Sequence, residues 1–164
     1  TAGEKFALVP FGTEALHVLR AEKGYIAVGQ DTDGTVTPDD LGMGGLVSKK
    51  KDFLGKRSLS RSDMTVPERR QFVGLLTTDV QKVLPEGAHI VERVLPKPPM
   101  KTLGHVTSSY YSPTLGRSIA LAMLENGRAK LGEPVRLPLE DGRTVTATVT
   151  SPVFFDPEGK RLHG

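Results

Sequence analysis

From residue 70 onward, short apolar blocks are separated by turn residues at near-even spacing, the pattern of strands rather than helices. Six segments qualify: 71–78 (QFVGLLTT), 88–94 (AHIVERV), 104–109 (GHVTSS), 118–124 (SIALAML), 134–139 (PVRLPL) and 143–151 (RTVTATVTS). Glu140-Asp141-Gly142 is a hairpin signal between the last two. Strands at this spacing predict a compact barrel or a Greek-key sandwich.

The first 60 residues have a different texture. Residues 1–11 (TAGEKFALVPF) read as an extended lead-in whose Phe6, Leu8 and Phe11 are expected to dock on a neighbouring element. Thr13 is placed to cap a helix over 14–21, along which Leu16, His17 and Leu19 are spaced, and Gly24 stops it. Residues 25–28 form a short β-like run, and 29–40 (GQDTDGTVTPDD) are acidic and turn-rich. The glycine-rich apolar run 41–47 (LGMGGLV) is expected to be a buried strand, and Asp52 to open a second short helix through residue 59. Residues 60–70 (SRSDMTVPERR) lack apolar periodicity and read as a linker. The expected organisation is α+β in two parts, 1–62 and 63–164.

Composition narrows the classes. The chain has 164 residues, of which 18 are Gly and 12 Pro, too many breakers for a helical bundle. It has no Cys, which excludes a disulfide scaffold, a thiol nucleophile and Cys-ligated metal clusters, and fits a reducing, cytoplasmic setting. No run of about 18 apolar residues or secretory signal is visible, so no membrane association is expected. Because the sequence starts with Thr1 rather than Met, we expect a piece of a longer protein. The net charge of +3 is too mild to argue for nucleic acid.

Glu22, at the end of the predicted helix, is the first candidate for chemistry. It is either a solvated helix-end residue or a carboxylate that accepts paired N–H donors from a planar heterocycle. Residues 48–70 hold eight basic residues, Lys49, Lys50, Lys51, Lys56, Arg57, Arg61, Arg69 and Arg70, against three acidic ones. This run is either a solvated face or an anion site for a carboxylate tail or phosphates; only Phe53 interleaves it, which weighs against nucleic acid. Asp31, Asp33, Asp39 and Asp40 are read as turn and cap residues, because Gly42 stands where a calcium loop needs its closing Glu. His17, His89, His105 and His163 show no helical metal-ligand spacing, so no metal site is expected. Ser108, Ser109 and Ser112 near His105 lack a nucleophile elbow, and Gly42-x-Gly44-Gly45 is not a dinucleotide fingerprint. Tyr110 and Tyr111 are either exposed contacts or core residues.

Longer motifs add a family resemblance. L-R-x-E-x-G (Leu19, Arg20, Glu22, Gly24), G-Q-D-x-D (Gly29, Gln30, Asp31, Asp33), T-P (Thr37, Pro38) and K-K-x-F-x-G-K (Lys50 to Lys56) resemble the glycine-cleavage T-protein, or aminomethyltransferase, superfamily. Residues 104–124 (GHVTSSYYSPTLGRSIALAML) are similar to that superfamily's C-terminal barrel segment. Residues 11–26 and the ending 154–164 (FFDPEGKRLHG) resemble the alpha subunits of heterotetrameric sarcosine oxidases within it; dimethylglycine oxidases and dehydrogenases carry related domains.

The resemblance implies the C-terminal portion of an α+β folate-binding domain over 1–62, then a six-stranded Greek-key β-barrel domain over 63–164. It implies an oxidoreductase that demethylates sarcosine to glycine and passes the one-carbon unit to tetrahydrofolate as 5,10-methylene-tetrahydrofolate. FAD, FMN and NAD belong to the complete enzyme, outside this stretch, and the implied partners are the other subunits and the upstream part of the alpha subunit. Glu22 falls on the family glutamate that holds the pterin. Lys51 falls on a basic position that contacts the folate tail, where the family usually has Arg; Lys49 and Lys50 are further candidates for the tail. The family's tail tyrosine is unmatched, with Glu158 near its place. The catalytic aspartate lies upstream of these motifs, so no catalytic residue is expected here, nor turnover by this stretch alone. Apolar faces of residues 1–59 are expected to be uncovered, with dimerisation or local disorder as the consequence. The alternatives are a fragment of an aminomethyltransferase, a dimethylglycine oxidase-type enzyme, a non-catalytic folate- or RNA-binding module, and a barrel that serves as a subunit-docking surface.

Overall fold

The computed structural model describes residues 2–163; Thr1 and Gly164, the two ends of the predicted lead-in and tail, lie outside the described residues, as do the side chains of Leu162 and His163. Six antiparallel strands close into a barrel in the order β1-β4-β3-β2-β5-β6, a Greek-key arrangement. They are β1 (Arg70–Thr77), β2 (His89–Val91), β3 (Thr102–Ser112), β4 (Arg117–Glu125), β5 (Pro134–Pro138) and β6 (Thr144–Thr150). Every expected strand is present; β2 is shorter than its apolar block and β3 longer. The β5–β6 connection is the expected hairpin, with Gly142 at φ +80° and the Leu139 carbonyl accepting from its N–H.

Side-chain alternation sorts β4 into two cores. Ala120, Ala122 and Leu124 fill the barrel interior with Val73, Leu75 and Ile90. Ile119, Leu121 and Met123 point outward, yet are equally buried, because they pack with Phe72 against Ala21 of a helix laid over the barrel wall. That helix, α1 (Thr13–Glu22), crosses β3 and β4. The second core is what welds the first 60 residues to the barrel.

The N-terminal part departs from expectation in several places. Thr13 lies inside α1; Gly12 is the N-cap and no side chain caps the helix. Residues 41–47 form turns and a short 3-10 helix, Gly44–Leu46, not a buried strand, and Leu46 is 82% exposed. Three glycines in seven residues weaken a strand, and Gly42 at φ +75° turns the chain instead. The expected helix from Asp52 is a 3-10 turn, Lys56–Ser60, preceded by Gly55 at φ +91°. The β-like run at 25–28 contributes only a single bridge, Val28 to Thr32. Phe6, Leu8 and Phe11 dock on nothing among the described residues and are 69–74% exposed.

Candidate functional site

The end of α1 determines where Glu22 sits. The Gly24 N–H bonds the Ala21 carbonyl at 3.0 Å and the Tyr25 N–H bonds the Arg20 carbonyl at 2.8 Å, the paired closure of a Schellman motif. Gly24 adopts φ +67°, and a Cβ there would lie 2.6 Å from the Pro152 carbonyl oxygen. The chain therefore turns sharply against the tail that follows β6. The N–H groups of Phe154 and Phe155 both donate to the Glu22 carbonyl, at 2.9 Å each. Glu22 is only 2% exposed, so the reading as a solvated helix-end residue fails.

Its carboxylate meets the end of β3. Ser112 Oγ donates to Glu22 Oε1 at 2.6 Å. Among the described residues no hydrogen bond reaches Oε2. Beside the carboxylate opens a pocket of about 420 Å³, lined by Leu19, Glu22, Lys23, Tyr25, Thr114, Phe155, Asp156 and Arg161. Lys23 Nζ is tied to the Asp156 carbonyl at 2.6 Å, and Arg161 lies 5.3 Å from the centre of the Phe155 ring. A carboxylate with one oxygen fixed and the other open, next to aromatic and apolar walls, suits a planar ring with adjacent N–H donors.

A second polar assembly holds α1 in register. Arg20 donates to Asp31 through Nη1, and to Ser108 Oγ at 2.7 Å and Gln30 Oε1 at 3.1 Å through Nη2. Asp31 is 1% exposed and accepts from the Ala27 N–H at 2.9 Å, Ser108 Oγ at 2.7 Å and Thr107 Oγ1 at 2.5 Å. Two consecutive strand residues reach one carboxylate because β3 slips register against β4 between Val106 and Ser108. The sequence reading of Asp31 as a turn residue is thus corrected: it is the buried counter-ion of Arg20. Asp33 does take the turn role, accepting from the Thr35 N–H at 2.8 Å. The hydrogen bonds from Thr35 hold its carboxyl below the ordinary aspartate range.

Asp40 is also a buried ion-pair partner. Arg69 donates Nε to Oδ1 at 2.8 Å and Nη2 to Oδ2 at 2.5 Å, and Thr37 adds its N–H at 2.7 Å. Burial pushes the Asp40 carboxyl up, but the bonds from Arg69 and Thr37 outweigh it and hold the carboxyl low. Arg69 is therefore part of a lock between the acidic loop and the foot of β1, not a member of a solvated basic run. A smaller concavity of about 240 Å³ lies between that loop and the barrel, reached by Asp33, Asp40, Arg69, Arg70, His105 and Met123.

Lys49, Lys50 and Lys51 lie on an exposed loop and do not line the pocket beside Glu22. Lys56 Nζ donates to the carbonyls of Lys49 (3.3 Å) and Lys51 (2.7 Å), which fixes the loop backbone. None of the three serines near His105 bonds a histidine: Ser108 serves Asp31, Ser109 the Ile119 carbonyl, and Ser112 Glu22. Tyr110 is half-buried near Arg20, and Tyr111 is 37% exposed. Among the described residues no three His, Asp or Glu gather as metal ligands, and no helix is long and apolar enough to cross a membrane. Sequence reasoning missed Ser112 as a partner of Glu22. No local pattern marks it, because the pair is 90 residues apart in the sequence.

Comparison with known proteins identifies relatives of the whole chain. The model of the glycine cleavage T-protein C-terminal barrel domain matches residues 70–156, and that of the GCVT N-terminal domain matches residues 1–51. The sarcosine oxidase alpha subunit of Corynebacterium sp. (strain P-1) is 50% identical over 99% of this chain, and that of Rhizobium meliloti (strain 1021) is 42% identical over 99%. The chain spans 17% and 16% of those two relatives. The crystal structure of the glycine cleavage system aminomethyltransferase T from Bartonella henselae superposes with a TM-score of 0.74 at 25% identity, over 89% of this chain and 39% of that one.

Proposed function

Because the chain belongs to the glycine cleavage T-protein family, we propose that it is the tetrahydrofolate-side portion of a sarcosine oxidase alpha subunit. The complete enzyme would demethylate sarcosine to glycine and deliver the one-carbon unit to tetrahydrofolate as 5,10-methylene-tetrahydrofolate. In this reading residues 1–62 are the end of the folate-binding α+β domain and residues 63–164 its barrel domain. FAD, FMN and NAD would reside outside this stretch, and the other subunits and the remainder of the alpha subunit would be its partners, in the cytoplasm.

The observation that carries the reading is the Glu22 carboxylate: buried, fixed on Oε1 by Ser112, open on Oε2, and set in the wall of a pocket of about 420 Å³. These residues fit a pterin. Tetrahydrofolate would supply the nucleophilic nitrogens that capture a one-carbon unit; the work of this chain is to bind and orient. Glu22 would accept the pterin's paired N–H donors, and the Leu19, Tyr25 and Phe155 side chains would exclude water from one edge. Lys51, with Lys49 and Lys50, would attract the anionic glutamyl tail as point charges rather than as a planar fork. The family's catalytic aspartate would come from upstream.

The test is calorimetric titration with 5-formyl-tetrahydrofolate. We expect binding by the wild-type chain and its loss, by at least about tenfold, in Glu22→Gln. Unchanged binding in the variant overturns Glu22 as the pterin anchor. A wild-type chain that binds no folate overturns the claim that this stretch holds a working part of the site. The resemblance to an aminomethyltransferase structure favours a second reading, in which the chain comes from such an enzyme; a flavin or nicotinamide fingerprint in the upstream sequence would decide for the oxidase.

A further inference from the structure

We propose that Ser112 is a positioning residue: it holds the Glu22 side chain in the orientation that the pterin needs. This rests on the reading of Glu22 given above, and extends it to a residue on a different element.

Hydrogen-bond bookkeeping carries the inference. Ser112 is fully buried at the end of β3. Its Oγ accepts from the Leu115 N–H at 3.0 Å and lies 2.6 Å from Glu22 Oε1. A serine hydroxyl has one proton and two lone pairs. The backbone N–H fills a lone pair and cannot be turned round, because the amide can only donate. The hydroxyl keeps its proton, which it donates to Glu22 Oε1. The bond fixes Oε1 and leaves Oε2 for the N–H donors of a ring.

The same contact fixes direction. Glu22 has three side-chain torsions, and its carbonyl is already pinned by Phe154 and Phe155. Ser112 fixes the far end, so both ends of the side chain are held by the barrel and its tail. Without the hydroxyl, the backbone of α1 would stay where the Schellman turn and the second core put it, but the carboxylate would be free to rotate toward Lys23 or Arg161 in the pocket wall. The bond also links the hairpin between β3 and β4 to the pocket, since the Leu115 N–H that orients the serine lies in that turn.

The experiment is a double-mutant cycle on the full chain, read by calorimetry with 5-formyl-tetrahydrofolate and by thermal melting. Ser112→Ala is expected to weaken binding about tenfold. In the Glu22→Gln background the same substitution is expected to cost nothing further, because its whole effect passes through Glu22. Ser112→Thr, which keeps the hydroxyl, is expected to recover most of the affinity. Equal losses from Ser112→Ala in both backgrounds, or a loss that Thr does not recover although the protein melts as the wild type does, would overturn the positioning role. If Glu22→Gln abolishes binding while Ser112→Ala leaves it unchanged, this inference fails alone and the folate reading stands. If the wild-type chain does not bind the probe, both fail.

Discussion

The barrel and the N-terminal 60 residues are held together by different kinds of force. In the barrel, backbone ladders close on themselves and an apolar interior of Val, Leu, Ile and Ala lies beneath them. In the N-terminal part, one ten-residue helix rests on the second apolar core, and the turns around it are set by individual side chains: Arg20 on Asp31, Arg69 on Asp40, Ser112 on Glu22. Several of its apolar residues lie outside that core, with Phe6, Leu8, Val9, Phe11 and Val28 each at least 69% exposed. A ladder tolerates the loss of any one side chain. A joint that depends on a few buried polar pairs does not.

The largest effect is expected at that joint. Asp31→Ala leaves Arg20 buried without its counter-ion and should cost about 3–5 kcal/mol. Amide exchange across α1 should accelerate while the β5–β6 ladder keeps its protection. Equal acceleration in both regions would break the comparison, because it would mean that they open as one unit.

Leu124→Ala probes the opposite direction. Leu124 is fully buried inside the barrel, and its truncation should cost about 2–5 kcal/mol in denaturant unfolding. Here both regions should lose protection together, since α1 packs on the outer face of β3 and β4 and has nothing to rest on once they open. Barrel opening that left α1 protected would show that the helix stands by itself.

The same contrast explains what was legible in the sequence. Strand periodicity is a local property, and all six strands could be read from it. The run 118–124 carried a further signal: a continuous apolar block, not an alternating one, belongs to a strand buried on both faces, as β4 is. In the N-terminal part the motif residues were legible by resemblance, but their roles were not. Asp31 and Asp40 look like turn residues because they do sit in turns. What makes them counter-ions is an arginine 11 residues before one and 29 residues after the other, and no local pattern encodes that pairing. Glu22 could be marked as a candidate from the sequence, whereas its burial depends on a tail 130 residues further on. Residues 41–47 were misread because apolar glycine-rich runs fit both a buried strand and a turn that needs positive φ, and Gly42 at φ +75° has the latter.

Arg69→Met is a milder break in the joint, expected to cost about 2 kcal/mol. It removes the donors that keep the Asp40 carboxyl low against the upward push of burial. The sign follows from linkage: a depressed carboxyl contributes stability that is complete above its unfolded value of 3.8 and is lost as pH falls through its lower folded value. The wild-type loop at 29–40 should therefore stay seated to below pH 3.8, and the variant should release it at higher pH. Acid titration followed by the Thr37 amide resonance reads this directly, and identical release in both proteins would show that the pair does not anchor the loop.

The smallest effect sharpens the comparison at the seam itself. His105 is on β3, part of the barrel, but borders the concavity under the acidic loop. Burial depresses its imidazole below the ordinary 6.5, with Arg70 and His89 adding to the depression and Asp33 opposing it. The unfolded chain then takes up a proton before the folded one does as pH falls below 6.5. Stability should decline gently from that point toward the folded value and be flat above it. His105→Asn should remove this slope without moving the acid release governed by Asp40. His105 is half-buried and shares its concavity with the loop residues Asp33 and Asp40. If Arg69→Met unseats the loop, the His105 slope should shrink in the same variant, measured by denaturation at pH 5 and pH 7. A slope that survives loop release would assign the depression to the barrel alone, and would mean that the two regions share a surface there without sharing their energetics.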